Sequence, residues 1–177
     1  MAEIALSLKL FADFRVACVV IGGVAAGAHG SSQATFDVDI CYSRDKENLT
    51  RLVQALRSVS AALRGAPHDI PFVLDEETLT HGLNFTFDTD IGKIDILGEV
   101  QGVGWYSDCH QHSDDIEIFG YQFQVLSLEK LIAAKRFAGR PKDLLMLPEL
   151  EALLEHERAG ESGPLKSIRS NREVQNS

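Results

Sequence analysis

Two aspartates separated by one residue stand in an otherwise apolar stretch, Thr35-Phe36-Asp37-Val38-Asp39-Ile40. Aspartate is depleted in strands, whereas the β-branched residues around this pair favour them. Residues i and i+2 of a strand point to the same face, so Asp37 and Asp39 would lie about 7 Å apart with Val38 turned to the core. Two carboxylates held this close repel each other unless a positive charge lies between them. The spacing therefore predicts a site for a divalent cation.

A third aspartate, Asp95, stands between isoleucines in Lys93-Ile94-Asp95-Ile96-Leu97. If this second strand lies beside the first, its carboxylate comes within about 5 Å of the pair. Three oxygen donors on rigid strands suit Mg²⁺ (or Mn²⁺), which completes its coordination with water and phosphate oxygens. The alternative is that Asp37 and Asp39 lie on a solvated face and Asp95 near a turn, because Asp-x-Asp pairs are common without a metal.

Two other groups contain residue types that bind metals. Asp88-Thr89-Asp90 repeats the Asp-x-Asp spacing, but the Ile91-Gly92 that follows favours a turn. The stretch Asp108-Cys109-His110-Gln111-His112 lies in a polar region where no predicted helix or strand fixes the ligand spacing. We expect this region to form a mobile lip beside the site, with Trp105 or Tyr106 placed to stack on a base.

The segment before the first aspartates has the features of a phosphate-binding turn. Gly22-Gly23 follows the apolar run 16–21 and precedes a short run of small residues, so backbone N–H groups at a helix N-terminus can approach an anion. In the helix predicted at 127–137, Lys135 continues the buried stripe. A lysine there either extends past the core to solvent or reaches a buried anion. Lys142-Asp143 is predicted to form a local ion pair that orders the last helix.

These side chains need strands and helices to position them, and the hydrophobic periodicity predicts both. Helices are expected at 3–14, 24–29, 46–63, 127–137 and 142–158, the last with a new start or a kink at Pro148. Strands are expected at 16–21, 36–42, 83–87, 93–97, 116–119 and 121–125. The pattern also predicts a hairpin turn at 88–92, a loop at 65–69, an extended segment from Pro71 and an irregular loop at 103–115. This order predicts an α/β (α+β) fold with a mixed central sheet flanked by helices, on which the C-terminal helices pack.

The composition limits the class of protein. With 45% hydrophobic and 24% charged residues among 177, one globular domain is expected at 1–158, followed by a polar tail at 159–177 that is predicted to be disordered. No apolar run reaches the roughly 20 residues that cross a bilayer. An acid near the N-terminus and three widely spaced cysteines favour a cytoplasmic location. A net charge of -9 argues against bulk binding of duplex DNA, which is held mainly by Lys and Arg.

In their order, Gly22-Gly23, Asp37-x-Asp39 and the isolated Asp95 resemble the motif of the DNA polymerase β-like nucleotidyltransferase superfamily. The resemblance is closest to small bacterial members of the abortive-infection and toxin–antitoxin type, and it extends over roughly 16–155. It implies that the three aspartates bind Mg²⁺ or Mn²⁺ and act in catalysis, with Asp95 also activating the attacking hydroxyl. The residues implied to contact the nucleotide or its phosphates are Gly22, Gly23, Ser31, Ser32, Thr35 and Lys135.

The activity implied by this resemblance is transfer of a nucleoside monophosphate from an NTP to an acceptor hydroxyl. The acceptor could be a small molecule, a protein side chain or a tRNA end, and the sequence does not decide between them. An antitoxin partner and a phage-defence role are further expectations from the resemblance. Relatives often carry an arginine where this chain has Gln33 and an acid where it has Met146. These departures keep open a catalytically weak or inactive protein that senses nucleotides or binds a partner. A third hypothesis is a metal-dependent phosphohydrolase, which would release orthophosphate.

Overall fold

The structure, a computed structural model, describes residues 1–66 and 72–161. In these ranges the chain forms a seven-stranded sheet, a separate two-stranded sheet and seven helices. The helices are α1 (Ala2–Asp13), α2 (Gly22–Ala28), α3 (Lys46–Ser58), α4 (Glu76–His81), α5 (Tyr106–Gln111), α6 (Leu128–Ala138) and α7 (Pro141–Glu161). The strands are β1 (Cys18–Ile21), β2 (Asp37–Tyr42), β3 (Ala62–Leu63), β4 (Asn84–Thr89), β5 (Gly92–Leu97), β6 (Glu99–Val100), β7 (Gly104–Trp105), β8 (Ser113–Ile118) and β9 (Tyr121–Leu126).

The large sheet has the strand order β3-β4-β5-β2-β1-β9-β8. β2 runs parallel to β5 and β1 parallel to β9, while the other neighbours are antiparallel. This confirms the mixed sheet flanked by helices that the sequence predicts. β2 and β5 are paired on both sides and therefore form a rigid centre, which is the place where strands hold side chains in fixed positions.

The apolar face of these two strands explains why their register is fixed. Val38, Ile40, Ile94 and Ile96 are at most 1% exposed, and they alternate with the aspartates along the strands. Each fully buried aliphatic side chain contributes about 1.5–3 kcal/mol to stability. A slip of one residue would turn all four towards solvent. The aspartates are thereby held on the opposite face of the sheet.

The helices pack against the sheet and against one another. α1 contacts β2, β5 and β9, α2 contacts β1, β2 and β9, and α5 contacts β1, β2 and β9. α6 packs on α2 and on α7, and a small buried cluster containing Ala26, Leu128, Ile132 and Leu150 joins these three helices. The C-terminal helices are thus fixed beside the glycine-rich start of α2. No described helix has the length and hydrophobicity needed to cross a membrane.

Two segments differ from their prediction because local hydrogen bonds override periodicity. The helix predicted at 46–63 ends at Ser58, since Ser60 adopts a left-handed backbone (φ 53) and the N–H of Ala61 bonds back to the carbonyl of Leu56. The next two residues form β3 instead. The region at 103–115, predicted to be an irregular loop, contains β7, α5 and the start of β8. Asp108 accepts a hydrogen bond from the backbone N–H of Trp105 at 2.8 Å, which caps α5.

Other segments differ as well. The helix α4 lies between Pro71, where an extended segment was predicted to begin, and the strand predicted at 83–87; Asp75 caps it by accepting from the N–H of Thr78 at 2.8 Å. β4 and β5 extend into the predicted turn and leave only Asp90 and Ile91 between them. α7 runs through Pro148 without a new start and ends at Glu161. Residues 67–71 and 162–177, which include most of the predicted loop at 65–69 and of the predicted tail, lie outside the described residues.

Candidate active site

The pairing of β2 with β5 brings the three predicted aspartates together. Asp39 lies directly opposite Asp95 in the parallel register, and Asp37 lies two residues earlier on the same face. One carboxylate oxygen of each lies within 4.8 Å of the others. In the described ranges these are the only three or more His, Cys, Asp or Glu side chains grouped closely enough to hold a metal ion. The alternative metal stretch at 108–112 forms no such group there.

The ligand atoms of this triad fit a hard divalent cation. All of them are carboxylate oxygens, which Mg²⁺ and Mn²⁺ prefer over nitrogen or sulfur. Oxygens around an octahedral Mg²⁺ lie about 3–4 Å apart, because each bond is about 2.0–2.1 Å long. The three carboxylate oxygens already lie within 4.8 Å of one another, so only small side-chain rotations are needed to bring them to the spacing around the ion.

The two glycines are required by the aspartates behind them. Gly22 has a φ of +64, and a Cβ at this position would lie 2.0 Å from Oδ2 of Asp39. A Cβ on Gly23 would lie 2.5 Å from Oγ1 of Thr35. That hydroxyl donates a hydrogen bond to Oδ1 of Asp37 at 2.9 Å. Bare backbone therefore contacts the triad directly, and Thr35, predicted to contact the nucleotide, is placed to orient Asp37.

The triad is electrostatically strained. Burial raises the pKa of Asp39 to about 7, and the charges of Asp37 and Asp95 add to this effect, while those of Lys135 and Lys142 oppose it. Burial also raises the pKa of Asp95, and the charge of Asp37 adds to it. The fold thus holds carboxylates where their ionised forms are disfavoured, as expected for a site completed by a cation.

Arg64, which directly follows β3, is a site residue that sequence reasoning missed. Its Nη2 lies 3.0 Å from Oδ1 of Asp95 and donates to the carbonyl of Phe87 at 2.8 Å, while its Nε lies 3.1 Å from Asp88. Oδ1 of Asp95 is therefore held by an ion pair with this guanidinium. The guanidinium opposes the burial that raises the pKa of Asp95. No local pattern marked it, because its segment was predicted to be the end of a helix and the start of a loop.

Cations also lie on the other side of the triad, on α6 and at the start of α7. Asp143, 3% exposed, pairs with Nζ of Lys135 at 3.3 Å and with Nε of Arg140. Burial alone would raise the pKa of Asp143, but the hydrogen bond from Arg140 and the charge of Lys135 outweigh it and lower the pKa. The predicted pair with Lys142 is wrong among the described contacts, because adjacent residues on a helix do not face each other.

The predicted serines have a partner from the last helix. Ser31 Oγ donates to Glu149 at 2.8 Å, and the N–H and Oγ of Ser32 donate to the same carboxylate at 2.7 and 2.9 Å. Glu149 lies three residues after Met146, so α7 supplies an acid one helical turn beyond the position where relatives often carry one. Three donors of this loop therefore converge on one carboxylate of α7.

A cavity of about 340 Å³ adjoins the triad. Gly22, Asp39, Lys135 and Arg140 lie together on its wall, so acidic and basic groups face the same space. Trp105 and Tyr106, predicted to stack on a base, are not among its lining residues. The Arg44 guanidinium lies 4.9 Å from the Trp105 ring, and the Tyr106 ring stacks on His110.

No protein-family model and no curated protein matches this sequence. Solved structures do match its fold. A candidate nucleotidyltransferase of Thermotoga maritima is 20% identical over 83% of this chain and 91% of its own, with a TM-score of 0.52. The antibiotic-resistance factor ANT(2'')-Ia in solution is 13% identical over 97% of this chain and 96% of its own, with a TM-score of 0.56. ANT(2'')-Ia in complex with adenylyl-2''-tobramycin is 14% identical over 90% of this chain and 97% of its own, with a TM-score of 0.52. The chain therefore has the nucleotidyltransferase fold.

Proposed function

We propose that this protein is a Mg²⁺-dependent nucleotidyltransferase, which moves a nucleoside monophosphate from an NTP to an acceptor hydroxyl. The observation that carries the proposal is the convergence of Asp37, Asp39 and Asp95 on paired strands, beside a cavity that also contains Lys135 and Arg140. Acidic side chains that bind a cation and basic side chains that bind an anion then contact the same ligand. A metal–triphosphate complex is the common ligand that needs both.

The residues divide into two groups by charge. The triphosphate would lie between the triad and the α6–α7 cations, with its oxygens contacting Lys135, Arg140 and the backbone of Gly22 and Gly23. Asp143 keeps both cations in place, because it pairs with each of them. Arg140 is mostly exposed, with 62% of its side chain accessible, so it can turn towards a phosphate while it stays anchored at the helix start.

In the proposed reaction the acceptor hydroxyl oxygen attacks the α-phosphorus, and the bond from that phosphorus to the bridging oxygen of the β-phosphate breaks. Pyrophosphate leaves with that electron pair, and Asp95 takes the hydroxyl proton. A Mg²⁺ or Mn²⁺ ion held by the triad would supply charge stabilisation to the transferring group and the leaving oxygen. Arg64 fixes one oxygen of Asp95 and leaves the other for the acceptor side.

The acceptor is a compound with a hydroxyl group, which binds next to Asp95 of the triad. ANT(2'')-Ia has been solved with an adenylylated tobramycin, which supports a small hydroxylated molecule over the protein and tRNA acceptors. The acidic surface of this chain, with a net charge of -9, would favour a cationic acceptor. A toxin–antitoxin or phage-defence role and an antitoxin partner stay predictions from the sequence resemblance.

Calorimetric titration of the purified full chain with each NTP, with and without Mg²⁺, tests the proposal, and released pyrophosphate is measured with candidate acceptors. Asp37→Ala/Asp39→Ala should abolish the metal-dependent binding. The matched control Asp114→Ala/Glu117→Ala removes two acids from β8, on the far edge of the sheet, and should bind like wild type. Absence of binding to every NTP under both conditions would overturn the proposal, and release of orthophosphate instead would indicate a phosphohydrolase.

A second function, nucleotide sensing without transfer, is favoured by Glu149. Its carboxylate takes the donors of Ser31 and Ser32, which the sequence predicts for phosphate, and Gln33 lacks the charge that relatives carry nearby. Glu149→Ala frees these donors and should raise NTP affinity severalfold if they bind phosphate. The control Glu151→Ala removes an acid of the same helix that pairs with Arg136 instead. NTP binding without pyrophosphate release from any acceptor would support the sensing function.

A further inference from the structure

The cavity beside the triad is lined by both charged and apolar side chains. Lys135, Arg140 and Asp39 are charged, and Ile21, Leu97, Leu126, Leu131 and Ala134 supply apolar surface. A volume of about 340 Å³ is of the size that takes a nucleoside or a similar small ring system. If the charged side chains hold the triphosphate, the apolar surface of the same cavity is left for the base.

The β6–β7 hairpin supplies part of the cavity wall. Its turn residue Gly102 has a φ of +82, and an added Cβ would lie 2.8 Å from Cβ of Phe137 and 3.2 Å from the carbonyl of Ala133. The turn is therefore seated directly on α6. This contact brings Glu99 and Gln101 of the hairpin to the cavity wall.

Glu99 is a charged lining residue of this cavity that has no partner among the described residues. It is half-buried, it lines the cavity, and its carboxylate has no hydrogen-bond donor or counter-ion among the described residues. The backbone of Glu99 is fixed by its pairing with Trp105 in the small sheet. A carboxylate offers only acceptors, so it is placed to meet a group of the ligand that carries N–H donors.

We propose that this cavity receives the base of the nucleotide and that Glu99 selects guanine, so that GTP is the preferred donor. The inference rests on the proposed function. Guanine presents N1–H and the 2-amino group side by side, and these match the two oxygens of one carboxylate. Adenine and cytosine place a lone pair beside their amino group, which would face the second oxygen. Uracil has one N–H between two carbonyl oxygens.

The acceptor does not compete for this space. Asp95, the residue proposed to take the acceptor's proton, is not among the residues that line the cavity. It lies instead beside Arg64, and its register neighbour on β4, Thr86, is exposed to solvent. The acceptor would therefore approach Asp95 from outside the lining of this cavity.

Competition titrations with GTP, ITP, ATP and UTP in the presence of Mg²⁺ test this selection on the full chain. ITP differs from GTP only in lacking the 2-amino group. Wild type should bind GTP about 10- to 100-fold more tightly than ITP or ATP, the range expected when a hydrogen bond to a charged group is lost. The comparison needs no variant, so it does not depend on whether a mutant folds.

Glu99→Gln converts one acceptor into a donor and should exchange the preference. GTP affinity should fall to about that of ITP, while ATP affinity should rise, because an amide matches the amino group and lone pair of adenine. Mg²⁺ affinity should be unchanged. Glu117→Gln, the same change on β8, should leave all four affinities as in wild type.

Three outcomes separate the hypotheses. A GTP preference that Glu99→Gln reverses would support the inference. Metal-dependent NTP binding with equal affinity for GTP and ITP, or a base preference that Glu99→Gln leaves unchanged, would overturn it and leave the proposed function standing. No binding of any NTP to wild type would overturn both.

Discussion

The clustered carboxylates imply that the metal-free fold weakens as the pH rises, and Asp39→Asn isolates this effect. The pKa of Asp39 is raised from 3.8 to about 7, chiefly by burial, whereas in the unfolded chain it stays near its ordinary value. Between these values the native protein keeps a proton that the unfolded chain has released. The free energy of unfolding therefore falls as the pH rises from about 4 to about 7. Above pH 7 both states are ionised, and the loss is complete.

The size of the loss follows from the difference between the two pKa values. Each pH unit corresponds to about 1.4 kcal/mol, so a difference of roughly three units gives an upper bound of about 4 kcal/mol. The Asp39 side chain is partly exposed, and solvent reduces the penalty, so we expect about 2–3 kcal/mol. Asparagine keeps the shape without the charge. At pH 8 in EDTA the variant should therefore be more stable than wild type by about this amount.

Urea denaturation at pH 5, 6, 7 and 8 in EDTA measures the effect. Wild type should lose stability along this series and the variant much less, while Asp114→Asn, which neutralises an exposed acid of β8, should follow wild type. Added Mg²⁺ should restore wild type at pH 8, because a ligand of the native state stabilises it, and should restore the variant far less. A variant no more stable than wild type at pH 8 would refute the reasoning.

Three further changes probe the surroundings of the triad. Arg64→Gln should raise the pKa of Asp95 further, because it removes an opposing charge, so Mg²⁺ titrations should show binding only at higher pH than in wild type; identical profiles would contradict this. Asp143→Asn should release Lys135 and weaken NTP binding about tenfold with Mg²⁺ affinity unchanged in calorimetry, whereas equal loss of both would point to a disturbed fold. Gly22→Ala should cost more than about 2 kcal/mol in the urea assay, since it places a Cβ on a triad carboxylate at positive φ; wild-type stability would count against this.

The three aspartates at the centre of the site were predictable because their positions follow from local sequence patterns. Alternation of Asp with Val and Ile predicts β2 and β5, and the same alternation fixes which face each aspartate shares. Their convergence needed one further fact, that the two strands are neighbours, which the sequence resemblance implied and the pairing of Asp39 with Asp95 confirms. Gly22 was predicted for phosphate, but the direct contact of its backbone with Asp39 was not.

The rest of the site depends on contacts between distant parts of the chain. Glu149 meets Ser31 across 118 residues of sequence, and Arg64 reaches Asp95 from an edge strand of two residues whose segment has helical periodicity. Glu99 lies at the cavity because a short hairpin rests on α6, in a region that its loop-like composition concealed. Such residues carry no local pattern, since their role is set by packing between elements and not by spacing along one of them.

The distribution of charge also predicts how the proposed ligands bind. The triad alone repels a triphosphate and attracts a cation, whereas Lys135 and Arg140 do the reverse from the same cavity. Either ligand bound alone leaves one of these groups without a partner, while the metal–nucleotide complex satisfies both. If the protein binds both ligands as proposed, their affinities should therefore be coupled, and by linkage each should raise the other by the same factor. The burial that raises the pKa of Asp39 increases this factor, because a carboxylate destabilised in isolation gains most when its cation arrives with the substrate.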